Sequence, residues 1–281
     1  MATDINDGIN DGINTLVLSG NSTNALATLG SLQKLFDSEI IIKSNISAYY
    51  GTSSGSMICT LLSIGFDPIE ILAHICANKS YSKIPSFNLT NLPYGSVLNF
   101  DYIKHELEKL LIAKLGYIPT LNCIRERFGK SLYFVTYNMS KGEKEYLSSD
   151  TYPNLSVTEA VRMSSAFPFI FSPYEYNDNY YIDGGIVENF PIMTAQLAGG
   201  RCFGLCNKHI IKSYTPQLNY FEHILNLLSI LITSAADNII ILPGSRVLKL
   251  PYETNFFNFT SSNSDLIKMF DEGYDACAAA L

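Results

Sequence analysis

The chain has 281 residues, 47% of them hydrophobic and 16% charged, with a formal net charge of −7 and a pI of about 5.1. That length permits one large domain, and a charged share well below the usual quarter or so argues against disorder and for a deep core. An acidic chain has no general attraction to phosphate backbones or anionic membranes, and no basic run interleaved with aromatics occurs. Nucleic acid is therefore excluded as a partner, and any membrane contact would go through apolar surface.

Residues 1–13 form a polar, acidic leader that repeats Ile-Asn-Asp-Gly at Ile5–Gly8 and Ile9–Gly12. It lacks the basic and apolar regions of a signal peptide. Asn14–Ser19 predicts a strand, followed by a loop and a helix to about Leu35. Ile46–Tyr50 predicts a second strand ending at Gly51. Met57–Ile64 and Pro68–Ala77 predict helices, broken at Gly65-Phe66-Asp67. Asn78–Phe100, with Pro85, Pro93 and Gly95, has the composition of a long loop: a candidate lid or interfacial surface, or equally a structural connection.

Helices follow at Asp101–Leu115 and Thr120–Phe128, a strand at Ser131–Asn138, and a helix at Val157–Ser164 that stops before Phe167-Pro168. Tyr180–Ile182 leads as a strand into Asp183-Gly184-Gly185. A helix at about Pro191–Leu197 precedes the strand Arg201–Cys206 and the apolar helix Phe221–Thr233. Strands at Ile239–Leu242 and Val247–Leu250 flank a Pro243-Gly244 turn, and Ser264–Ala279 is a closing helix. This alternation predicts an α/β fold over residues 14–281, with a mostly parallel central sheet and helices on both faces. No apolar run reaches the ~18 residues needed to span a bilayer.

The six cysteines, Cys59, Cys76, Cys123, Cys202, Cys206 and Cys277, have no framework spacing, and Cys202-x3-Cys206 has no second pair or histidine cluster to complete a metal site. They read as buried thiols in a reducing compartment, so an intracellular, cytoplasmic location is expected.

Three turns carry chemistry. Gly51-Thr52-Ser53-Ser54-Gly55 is a G-x-S-x-G between a predicted strand and helix. Such a turn lifts the serine hydroxyl above the sheet edge, and the following helix points its positive end at a developing oxyanion. The pentapeptide alone is also compatible with an ordinary turn. A serine nucleophile needs a base, and Asp183 before Gly184 and Gly185 sits at a strand end; alone, D-G-G reads as a hairpin or loop. Ser19-Gly20-Asn21-Ser22 follows the first strand, and its backbone N–H groups suit an oxyanion hole or a plain helix cap. All three lie at predicted strand C-termini, the edge at which open α/β sheets bind ligands.

With these motifs the sequence resembles the patatin-like phospholipases from about Asn14 to the C-terminus. That family pairs a G-x-S-x-G serine with an aspartate in D-G-G/A, here Ser53 and Asp183, as a dyad without histidine. Leu16–Gly20, Ser164-Ser165-Ala166-Phe167-Pro168, the segment from Tyr181 to Pro191 that includes Asn189, Ala235–Ile240 and Glu272-Gly273-Tyr274 match its supporting segments. The resemblance implies a three-layer patatin-like fold and a serine esterase acting in lipid degradation. Its substrate would be a phospholipid or other acyl lipid met at a membrane surface, with no metal or organic cofactor. It also implies an oxyanion hole at Gly20, Asn21 and Ser22.

The family's loop is usually G-G-G-x-[KR]-G, whereas this chain has Gly20-Asn21-Ser22-Thr23-Asn24-Ala25. The departure leaves open a catalytically silent lipid- or partner-binding protein on the same fold, or an enzyme awaiting a protein activator. A Ser-Asp-His hydrolase would need His209 or His223 after Asp183, and neither has a convincing loop context.

Overall fold

The computed structural model describes residues 12–77, 98–207, 220–234, 239–251 and 262–281. Residues 1–11 of the leader, residues 78–97, His209 and residues 235–238 lie outside the described residues.

In chain order the elements are β1 (Thr15–Leu18), α1 (Ala25–Asp37), β2 (Ala48–Thr52), α2 (Ser54–Ser63), α3 (Pro68–Ala77), α4 (Asp101–Leu115), α5 (Leu121–Phe128), β3 (Ser131–Asn138), β4 (Glu143–Ser148), α6 (Val157–Ser164), β5 (Tyr174–Tyr176), β6 (Asn179–Asp183), α7 (Gly185–Glu188), α8 (Ile192–Leu197), β7 (Cys202–Asn207), α9 (Tyr220–Ser234), β8 (Arg246–Leu250) and α10 (Asn263–Ala280). Local chemistry sets several boundaries. Thr120 and Ser156 accept from backbone N–H groups to cap α5 and α6, and Gly116 and Gly129 take left-handed conformations that end α4 and α5. A capping box between Ser262 and Asp265 starts α10.

The strands form one sheet in the order β5-β6-β3-β2-β1-β7-β8, with β4 also paired to β3. From β3 to β8 the pairs are parallel, while β4, β6 and β5 join antiparallel. Tyr133–Val135 pair with both β2 and β4, and Thr136–Asn138 pair with both β4 and β6. β2 and β6 therefore lie along the same edge of β3 and run toward each other. Thr52 sits opposite Val135, and Asp183 sits opposite the next residue, Thr136. The topology thus brings the ends of two strands, remote in sequence, to one point.

Side-chain alternation divides the core between the two faces of the sheet. Leu16, Leu18, Tyr49, Phe203 and Leu205 join the large cluster beneath α1 to α6 and α10. Val17, Tyr50, Cys202 and Cys206 join a smaller one with Phe190, Ile192 and Ala195 around α8. All of β1 is buried, as expected for a central parallel strand covered on both faces.

The expected α/β architecture is present, with two corrections. Residues 239–242 form no strand, because the Gln196 side chain takes their backbone: its Nε2 donates to Ile240 O at 3.0 Å and its Oε1 accepts from Leu242 N at 2.7 Å. The sheet also contains β4 and β5, which the sequence pattern does not predict. No single helix among the described residues is long and apolar enough to cross a membrane; α2 and α3 would be together, but they meet at a 112° bend. All six cysteines remain thiols.

Candidate active site

Ser53 follows β2 directly and precedes α2, with φ 54° and ψ −123°. A side-chain-bearing residue in that region stores strain, of the order of 1–3 kcal/mol, that the surroundings must hold in place. Here they do so by close approach. Gly51 pairs with Leu18 and Phe134, and a Cβ there would fall 2.8 Å from the Gly55 carbonyl oxygen. A Cβ on Gly55 would fall 2.6 Å from the Leu18 carbonyl oxygen, so only glycine lets α2 begin this close to β1. The Ser53 N–H donates to Ser164 Oγ at 3.0 Å, and Ser56 N–H to the Ser53 carbonyl at 2.9 Å.

Asp183 ends β6 and is 1% exposed. Its Oδ1 accepts the Gly185 N–H at 2.7 Å, while Oδ2 has no hydrogen-bond partner. Burial pushes its pKa up from 3.8 to about 7; the Ser53 hydroxyl and the Gly185 N–H pull the other way without offsetting it. The Ser53 and Asp183 side chains therefore interact, although no hydrogen bond of good geometry joins them. Such pairs often tighten only around substrate. A Cβ on Gly184 would sit 2.3 Å from the Val135 carbonyl oxygen, which is why the residue after the aspartate has no side chain.

The segment after α6 ties the two strand ends together. Ser164 Oγ holds Ser53, the Ser164 carbonyl accepts from Gly184 N–H at 3.4 Å, and the Ala166 carbonyl accepts from Asp183 N–H at 3.0 Å. The resemblance of Ser164–Pro168 to a family segment carries no role with it. Its role is visible only in three dimensions.

The Gly20–Ser22 loop lies beside these ends with its groups engaged. Gly20 N–H donates to Asn189 Oδ1 at 3.1 Å, and Asn189 Nδ2 returns a bond to the Gly20 carbonyl at 3.0 Å. Asn21 N–H donates to Ser54 Oγ at 2.9 Å. The Asn21 side chain accepts from Ser19 Oγ and donates to Thr28 Oγ1, so it braces the loop and faces no substrate. Ser22 has φ 49°, in the left-handed region.

These residues border one cavity of about 200 Å³. Gly20, Ser22, Ser53, Asp183, Gly185 and Asn189 are among its lining residues, and the rest of the lining is mostly apolar, with Leu26, Leu29, Met57, Ile58, Leu107 and Ile232 among them; Asn21 does not line it. His74 on α3 and Glu106 on α4 also line the cavity, which the sequence reading did not foresee. Burial holds the His74 pKa down, and its charge neighbours are Glu106 and Lys109, not Asp183. Among the described residues, no cluster of histidine, cysteine, aspartate and glutamate suits a metal ion. His223 is half-buried on α9.

A family model for patatin-like phospholipases matches residues 16–195. Over 189 residues the chain is 34% identical to "Probable lipid hydrolase 463L" of invertebrate iridescent virus 6, covering 64% of this chain and 62% of that protein. Over 231 residues it is 28% identical to "Uncharacterized protein R571" of Acanthamoeba polyphaga mimivirus, covering 76% and 74%. The alignment thus spans about three-fifths of the length of the first of these relatives. Among solved structures, VipD from Legionella pneumophila superposes with a TM-score of 0.54 at 18% identity, over 96% of this chain and 66% of that one. At such identity the likeness concerns the fold.

Proposed function

The chain belongs to the patatin-like phospholipase family, and we propose that it is a lipid acyl hydrolase of the phospholipase A type that uses a Ser53–Asp183 dyad. The observation that carries this reading is the head-on meeting of β2 and β6, which brings the two residues together in the lining of one apolar cavity. The raised Asp183 pKa supports it, because a base works best when its pKa lies near the operating pH.

In the proposed reaction Asp183 takes the Ser53 proton as Ser53 Oγ bonds to the ester carbonyl carbon, and the carbonyl electron pair moves onto oxygen. When that pair returns, the alcohol leaves with the proton from Asp183. Water then attacks the acyl-serine, again through Asp183, and releases the fatty acid and Ser53. The apolar walls accept the acyl chain, and neither metal nor organic cofactor enters. The oxyanion is assigned to the start of α2 and to amides of the Gly20–Ser22 loop once these are released from their present partners.

The substrate class is phospholipid or another acyl lipid, met by peripheral contact with a membrane. α9 supports that contact: Ile232 lines the cavity while Leu227 and Ile230 on the same helix are exposed. The six thiols fit a reducing, cytoplasmic setting.

One observation favours a second reading. The Gly20 and Asn21 amides are committed to Asn189 and Ser54. A silent lipid- or partner-binding protein has no use for them, and an enzyme needing both requires an activator that moves the loop. Labelling with a fluorophosphonate and mapping the adduct separates the readings. A hydrolase carries the label on Ser53 and loses it in Asp183→Asn; an unlabelled, folded wild type supports the binding protein.

A further inference from the structure

We propose that Ser165 is a further catalytic residue whose hydroxyl donates to the carbonyl oxygen of the scissile ester as it becomes an oxyanion. The inference rests on the acyl-hydrolase reading of the same site.

Ser165 is 2% exposed and lines the cavity that Ser53 and Asp183 border. Its Oγ has no hydrogen-bond partner. Buried hydroxyls without partners are rare and destabilising, so one at a reaction site asks for an explanation. The Asp183 Oδ2 atom shares both properties: it is buried without a partner and belongs to a residue of the cavity lining. One of the two oxygens can only accept once ionised, and the other can donate. A serine acyl transfer needs that pair: an acceptor for the nucleophile's proton and a donor for the charge that forms on the carbonyl oxygen.

The position is rigid on both sides. Ser164 accepts the Ser53 N–H, and Ala166 accepts the Asp183 N–H, so Ser165 lies between the two residues that hold the proposed dyad. Its own carbonyl accepts the Phe167 N–H at 2.9 Å, which fixes the backbone carrying the hydroxyl. The need for such a donor is local. The Gly20 and Asn21 amides are already bonded, and glycines that would free this loop's backbone in other family members are here asparagine and serine. A side-chain donor from another segment of the cavity lining compensates for backbone donors that are committed elsewhere.

The test is kinetic and thermal, on the full chain with a soluble short-chain nitrophenyl ester. Ser165→Ala is expected to lower kcat about 10²-fold, the lower end of the range for a lost oxyanion donor, with KM within about twofold of wild type. Its Tm should equal or exceed that of wild type, because the change removes an unsatisfied group. Ser165→Cys, a weaker donor, should fall between. Fluorophosphonate labelling of Ser53 should slow in the same order, since charge also develops on the phosphoryl oxygen. Two results overturn the assignment: kcat of Ser165→Ala within about twofold of wild type, or a Tm drop of several degrees accompanying the loss, which would show that the hydroxyl has a structural partner. If instead Ser53→Ala keeps wild-type turnover, the dyad itself is wrong and this inference goes with it; a dead Ser53→Ala beside a fully active Ser165→Ala sinks this inference alone.

Discussion

Asp183→Asn separates two consequences of burying a carboxylate, one chemical and one thermodynamic. The folded pKa of about 7 lies some 3 units above the ordinary 3.8, and each unit corresponds to about 1.4 kcal/mol, so ionising Asp183 in the folded protein costs about 4 kcal/mol. The shift is upward, so below about pH 4 both folded and unfolded chains carry the proton and nothing is lost. As pH rises toward about 7 the unfolded chain releases a proton that the folded one retains, and stability drains away. Above about 7 both states are ionised and the loss is complete. Asparagine keeps the Oδ1 acceptor for the Gly185 N–H but cannot titrate. Its Nδ2 replaces an oxygen without a partner, which adds a constant penalty of about 1–3 kcal/mol whatever the pH. The stability of Asp183→Asn minus that of wild type should therefore rise by about 4 kcal/mol from pH 4 to 7 and then level off. Urea melts of both proteins across that range measure it. Parallel curves would refute the reasoning, because they would mean that Asp183 titrates alike in both states.

Other outcomes follow from the same contacts. Activity of wild type should rise about tenfold per pH unit up to roughly pH 7 and then plateau, as the base loses its proton; a profile flat down to pH 5 contradicts a raised Asp183. An ordinary histidine titrates near the same value, so His74→Gln is the control: it lines the cavity, and its replacement should leave the inflection in place. Ser164→Ala removes the acceptor 3.0 Å from the part-buried Ser53 N–H; urea melts should show a loss of about 0.5–1.5 kcal/mol, and kcat should fall as Ser53 loosens. Gly273→Ala would place a Cβ 2.0 Å from the Ala27 carbonyl oxygen where α10 crosses α1; thermal melts should show a loss of about 1–3 kcal/mol, or roughly 2–12 °C in Tm. An unchanged Tm there would mean that the helices do not cross at Gly273.

The parts of the fold legible in the sequence are those whose signal is local. β1, β2 and β7 read as strands because they are short apolar runs bounded by turn residues, and Gly51-Thr52-Ser53-Ser54-Gly55 reads as a strand-to-helix turn because its glycines must approach neighbouring backbone. β4 and β5 escaped because they are half-exposed and polar or very short. Residues 239–242 misled because an apolar run resembles a strand, while what sets their backbone is Gln196, 44 and 46 positions away.

Within the site, Ser53 and Asp183 stood out by motif, yet their meeting depends on β6 running antiparallel beside β3. The Asn177-Asp178 turn, with positive φ at both residues, only reverses the chain between β5 and β6; the pairing of β6 with β3 is long-range. The commitment of the Gly20 amide could not be read at all, since its acceptor lies 169 positions along the chain. Nor could the missing partner of Ser165, which is a property of the packed interior.

The most direct test of the account is fatty-acid release from vesicles of mixed phospholipid and neutral lipid by wild type, Ser53→Ala and Asp183→Asn, each shown to be folded. The account predicts release by wild type that is abolished in both variants, with the preferred lipid identifying the substrate. Release that persists in either variant would contradict the dyad, and no release by wild type would leave a protein on this fold that binds and does not cleave.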